Sequence, residues 1–184
     1  GTAYETPLPE VKSSGVNFEV TPLQGRTAFV IRRSENIPGN FSKINIVGTM
    51  DKQLVYLASV KLDAAPLIGG SMPTDQLPSG ILQITLFDSN WVAFAERICF
   101  VNNGEYGFEP EVGLATLGTG KRGRNVLVIS MPDSVEGNLS VAVTDAEIGK
   151  DSSDDIISRF LMTGDLKGNV YKPSYYLQDN SDSL

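Results

Sequence analysis

The chain has 184 residues, 41% of them hydrophobic and 20% charged, with a formal net charge of −7 and no histidine. That balance belongs to a folded globular protein and excludes a disordered one. The acidity repels phosphate backbones and argues against nucleic acid as a partner, and the missing histidine removes Ser-His-Asp and Cys-His catalysis and the commonest zinc ligand.

Residues 1–15, with Pro7 and Pro9 close together, read as an extended linker, and Gly1 ahead of Thr2 reads as the remnant of a cleaved tag. A strand-rich stretch follows over 16–102. Asn17 to Val20 alternates, Thr27 to Ile31 is β-branched and aromatic, and Pro22 and Gly25 mark the break between them. After a loop over residues 35–40, Lys43 to Gly48 and Gln53 to Leu57 form a hairpin about Asp51-Lys52. Residues 64–80, rich in Pro and Gly, make a connection with one short edge strand. Ile81 to Phe87 is the strongest strand, Asp88-Ser89-Asn90 turns it, and Trp91 to Val101 returns. Period-2 alternation places Phe29, Ile31, Ile46, Leu57, Ile84, Leu86 and Phe100 in one core.

Asn102-Asn103-Gly104 is a natural boundary. Residues 103–184 read as a second, smaller β unit, short enough to be incomplete. It holds strands near 112–117 and 125–129, joined by a glycine-rich tip whose Lys121, Arg122 and Arg124 read as solvated charges. Leu139, Val141 and Val143 share one face of a further strand. A helix is expected over 153–163, capped by Ser152 or Ser153, with Asp154 and Asp155 in its first turn and Gly164 as its stop. Its stripe of Ile156, Ile157, Phe160 and Leu161 is expected to pack on Leu139, Val141 and Val143, and the tail after Tyr176 is polar. Short strands at about 8–12-residue spacing, without intervening helices, argue for an all-β, antiparallel sandwich class.

Three segments carry a family resemblance. Pro78 to Asp88 with Ala95 to Val101, then Leu139 to Ala146, then Ile156 to Tyr176 with Leu166-Lys167-Gly168 and Pro173-Ser174-Tyr175-Tyr176, occur in family order. Together they resemble macroglobulin-type domains of large cell-envelope proteins of Gram-negative bacteria. The resemblance covers about residues 75–176. It implies Ig-like sandwiches, a periplasmic or outer-membrane-associated location, a structural or interaction role, and a longer parent chain. Macroglobulins that trap proteases carry a thioester built on Cys and Gln, and Cys99-Phe100-Val101 does not support that chemistry.

Little else in the chain points to catalysis. Cys99 sits in an apolar run and reads as a small buried hydrophobe. Gly118-Thr119-Gly120-Lys121 lacks the spacing of a phosphate-binding loop. The carboxylates Asp88, Glu96, Asp145 and Asp165 belong to no shared motif and read as turn, strand and helix-end residues. Glu96 and Arg97 fall on opposite faces of a strand. Asp151, Asp154 and Asp155 do not complete a calcium loop, because Ile156 stands where that loop needs glycine. No metal or cofactor is therefore expected, and no apolar run reaches the ~18 residues that span a bilayer. Tyr171, Tyr175 and Tyr176 are the candidate ligand or partner contacts, either as a stacking platform for sugar or as packing for the post-helix segment. The leading reading is a non-enzymatic module that contacts a protein partner or the remainder of its parent chain. The alternative is a carbohydrate-binding module of a glycan-uptake system.

Overall fold

Apolar residues at every second position drive the chain into strands that each bury one face. A computed structural model describes residues 6–63, 65–107, 110–131, 138–143 and 154–177. In chain order, the strands of its larger part are β1 (Val16–Leu23), β2 (Arg26–Arg33), β3 (Lys43–Met50), β4 (Gln53–Lys61), β5 (Leu67–Pro73), β6 (Gly80–Phe87) and β7 (Ala93–Val101). They form a three-stranded sheet ordered β1-β2-β5 and a four-stranded sheet ordered β4-β3-β6-β7, with every pairing antiparallel. The β3–β4 turn is two residues long, since Met50 pairs with Gln53. Asp51 and Lys52 both take positive φ, 49° and 64°, as a type I′ hairpin requires.

The two sheets share one core. Phe18, Phe29, Ile31 and Met72 come from the first, and Ile44, Ile46, Met50, Leu82, Ile84, Leu86 and Val101 from the second. Five of the seven residues expected in the core are buried there: Phe29, Ile31, Ile46, Ile84 and Leu86. The other two face the opposite side, for reasons of register. Leu57 lies between Tyr56 and Ala58, which pack on the core, so its own side chain points outward. Phe100 pairs with Ile81, whereas the neighbouring Leu82–Cys99 pair faces inward.

Buried polar groups brace one end of the four-stranded sheet. Asn45, 1% exposed, donates from Nδ2 to the Asp88 carbonyl at 3.2 Å and accepts from Ser59 Oγ at 2.6 Å. Asn40 Nδ2 donates to Asp88 Oδ2 at 2.7 Å, while the N–H groups of Asn90 and Val92 donate to Asp88 Oδ1 at 2.8 and 2.9 Å. One carboxylate thereby ties the β6–β7 turn to the loop entering β3.

The chain divides into a unit of Gly1–Glu105 with Ser152–Leu184 and a unit of Tyr106–Asp151. This differs from the expected 103–184 second unit at both ends. At the first boundary, Glu105 accepts from the Ser79 amide and, at 2.7 Å, from Ser79 Oγ. Asn103 Nδ2 donates to the carbonyls of Thr74 and Leu77 at 2.8 and 2.6 Å, so residues 103–105 are held to the first unit. Within the smaller unit, β8 (Glu111–Thr116) and β9 (Val126–Ser130) pair as the expected antiparallel hairpin. The strand expected at 139–144 is absent from the described residues 138–143, and Leu139, Val141 and Val143 are exposed.

The helical segment also differs from expectation. It begins as α1 (Ile156–Ser158) and continues as a π turn over Arg159–Thr163. Asp155 is the N-cap. Its carboxylate accepts from the Ser158 N–H at 2.7 Å, and Ser158 Oγ accepts from the Asp155 N–H at 2.8 Å, a reciprocal capping box. Ser152 and Ser153 lie outside the described residues. The buried face is not the expected one: Ser158, whose hydroxyl bonds to Asp154 and Asp155, and Met162 one turn on face inward, so the apolar stripe faces outward. The Gly164 N–H reaches the Arg159 carbonyl five residues back, at 2.9 Å, which abandons the 3.6-residue period. Ser158 and Met162 are buried instead, whereas Ile156 and Phe160 are exposed. Gly164 follows the segment, where only glycine fits, since a Cβ there would stand 2.7 Å from the Arg159 carbonyl oxygen.

Truncating Ile46 or Leu86 to alanine is expected to cost about 2–5 kcal/mol in urea unfolding, and Leu57→Ala to stay within about 0.5 kcal/mol. In the same assay Met162→Ala is expected to destabilise by about 2–5 kcal/mol, with Phe160→Ala near zero. The reverse ranking of Met162 and Phe160 would return the helical stripe to the core.

Candidate functional site

Because even-numbered residues of β6 enter the core, its odd-numbered residues line the outer face of the four-stranded sheet. There Gln83 pairs with Ile98 and Thr85 with Glu96 across to β7, and Thr49 of β3 lies beside Gln83. The turn after the π segment contributes Asp165, Leu166 and Lys167 beside this face, where the Asp51-Lys52 hairpin turn also reaches. The result is a cleft of about 730 Å³. Ile81, Ile98 and Leu166 supply its apolar surface, and Asp51, Lys52, Glu96, Asp165 and Lys167 bring charges of both signs.

The walls are braced from beneath. Glu96 Oε2 accepts from Gln83 Nε2 at 2.6 Å, which fixes the carboxylate along the sheet. Asp154 accepts from Ser158 Oγ at 2.5 Å and from Thr163 Oγ1 at 2.9 Å, closing the helical segment at both ends. The Ser158 hydroxyl is the main reason that the Asp154 carboxyl is held below the usual aspartate range; the Thr163 hydroxyl and the Arg159 cation add to it, and desolvation opposes it.

The carboxylates singled out from the sequence have different fates. Glu96 and Asp165, which no motif linked, meet at this cleft. Asp88 is a buried turn residue, and Asp145 lies outside the described residues. Among the described residues, no group of three or more Cys, Asp or Glu is gathered as a metal ion would need. Arg97 falls on the core side of β7 by register but stays exposed at the sheet edge, where Nη1 donates to the Glu96 carbonyl at 2.7 Å. Cys99 is half-buried with its Sγ 3.9 Å from Thr27 Oγ1, and burial pushes its thiol up, away from the reactive thiolate.

Tyr171, Tyr175 and Tyr176 do not line the cleft. All three are exposed. The rings of Tyr175 and Tyr176 stand 5.6 Å apart at 86°, edge to face, so they offer no common stacking plane. Lys172 Nζ sits 5.4 Å from the Tyr171 ring centre. In the smaller unit, Lys121, Arg122 and Arg124 are exposed at the hairpin tip, as their solvated reading requires. Sequence reasoning missed the cleft because its members come from four separate stretches of chain. The one local signal was the alternation in β6, whose outward half includes Gln83. No helix among the described residues is long and apolar enough to cross a membrane.

No family model matches the chain, and no curated protein matches it.

Asp88 generates a pH prediction. The Asn40 amide above all, with the Val92 and Asn90 N–H groups, holds its carboxyl below the usual aspartate range against the cost of desolvation. The folded protein therefore binds the Asp88 proton less readily than the unfolded chain does. Its contribution to stability is complete above the unfolded value of ~3.9 and is lost as pH falls through the folded value. Thermal melts between about pH 2 and 6 are expected to show a shallower acid limb for Asp88→Asn than for the native chain. An unchanged acid slope would count against this account of Asp88.

Proposed function

We propose that this chain is a non-catalytic structural or protein-interaction module with an Ig-like, macroglobulin-type β-sandwich fold, part of a larger envelope protein located in the periplasm or at the outer membrane. The observation that carries the contact role is the outer face of the four-stranded sheet. Leu54, Leu57 and Ile98 are 60%, 58% and 50% exposed there, beside the charged cleft. Apolar side chains gathered on one solvent-facing sheet surface are what a protein contact buries.

The fold assignment is supported by two antiparallel sheets closing on one core and by the family-like segment 78–101, which forms β6, its Asp88 turn and β7. The location rests on the sequence resemblance alone. A glycan-binding surface is less well matched by the perpendicular Tyr175–Tyr176 pair, since sugar rings stack on a flat aromatic face.

The test is direct. The purified chain is expected to hydrolyse no ester, glycoside or peptide substrate above background, and to show no saturable change in tyrosine fluorescence with soluble oligosaccharides. Turnover that disappears in Glu96→Gln or Asp165→Asn would replace the module with an enzyme. Saturable oligosaccharide binding abolished by Tyr171→Ala would replace it with a glycan receptor.

A further inference from the structure

The cleft on the outer sheet face carries more charge than the fold uses. The ion pairs among the described residues are Glu19–Arg32 and Asp154–Arg159, and neither belongs to it. Asp51, Lys52, Asp165 and Lys167 thus reach the cleft without an ion-pair partner within 4 Å among the described residues, and Glu96 is met there by the neutral Gln83. Each of the two walls offers both signs: Asp51 with Lys52 on the hairpin turn, Asp165 with Lys167 on the turn after the helical segment. Ile81 and Ile98 on the sheet, with Leu166 of the second wall, present apolar surface that solvent reaches.

The site is also preorganised. Its floor lies on β6, paired on both sides by β3 and β7. One wall is a two-residue turn with no slack, and the other is anchored by buried Ser158 and Met162, with the Asp165 N–H donating to the Met162 carbonyl at 3.2 Å. A volume near 730 Å³ is within the ~300–1,000 Å³ range of small-ligand sites. A rigid site loses little entropy when a flexible ligand enters it.

We propose that this cleft binds a short extended polypeptide segment in which an apolar residue is flanked by side chains of opposite charge. Walls that each pair an acid with a lysine complement a ligand with both signs, and the apolar floor takes the side chain between them. A sugar would find hydrogen-bonding groups here, but none of the lining residues is an aromatic ring for it to stack on. The inference names a site and a partner class for the protein-contact reading and rests on that reading.

The experiment uses the 184-residue chain and a library of acetylated, amidated hexapeptides that varies the signs and order of two charges around a central leucine. Binding is followed by amide and methyl chemical shifts. Saturable shifts confined to Ile81, Ile98, Leu166 and Thr49, and strongest for peptides with one charge of each sign, are expected. Lys167→Glu and Glu96→Gln are each expected to weaken that binding about ten- to a hundredfold, as loss of a charge-assisted contact does, with the melting temperature unchanged. Peptide shifts that map outside the cleft would overturn the site while leaving the protein-contact reading in place. Cleft shifts with oligosaccharides alone would overturn both. Equal binding of all charge patterns, or of none, would overturn the ligand class.

Discussion

The structure depends on burying two half-apolar sheets against each other. Neither a three-stranded nor a four-stranded antiparallel sheet can leave an aliphatic face in water at no cost, and each large buried side chain contributes about 1.5–3 kcal/mol. Phe29 and Ile31 of β2 meet Ile46 of β3 and Ile84 and Leu86 of β6 in one cluster. These strands are central in their sheets, with β2 between β1 and β5, and β3 and β6 between β4 and β7. The residues that hold the layers together are thus also those whose backbones are hydrogen-bonded on both sides. At one end of the four-stranded sheet, the Asn40–Asp88–Asn45 network fixes the turn and loop that apolar packing alone would leave tolerant of slippage.

The outer face of the four-stranded sheet follows from the same alternation. Once Leu82, Ile84 and Leu86 point inward, Ile81, Gln83 and Thr85 must point outward. The helical segment then changes what that face is. It is too short to be stable as an isolated helix, so its capping box, the Asp154 hydrogen bonds and the burial of Met162 hold it in place. Its following turn converts an open sheet surface into a walled cleft. Fold and candidate site are linked by a few short-range polar contacts that a single substitution can remove.

Much of this fold is legible in the sequence because its signals are local. The Asp51-Lys52 hairpin, the edge strand within 64–80, the β6–β7 pair about Asp88 and the glycine-tipped β8–β9 hairpin all announce themselves in turn residues and alternation, which act over a few positions. The misreadings have equally physical causes. Leu57 and Phe100 belong to strands identified correctly, but which parity faces inward depends on pairing with β3 and β6. Phe160 lies on an apolar stripe that faces outward, because Ser158 and Met162, one turn apart, take the buried face.

From the sequence alone came the all-β class, most strand positions, the acidic surface and the loss of histidine chemistry. These follow from composition and from periodicities that span at most a few residues. The tertiary structure decided which face of β4 and β7 is buried, to which unit the helical segment belongs, and that Glu96 and Asp165 share a cleft with Lys52 and Lys167. The first is set by pairing with β3 and β6 in the assembled sheets, the others by stretches of chain far apart in sequence, as Glu96 and Asp165 are, and no local preference encodes them. They arise only when burial of the shared core selects one pairing of the strands over the others.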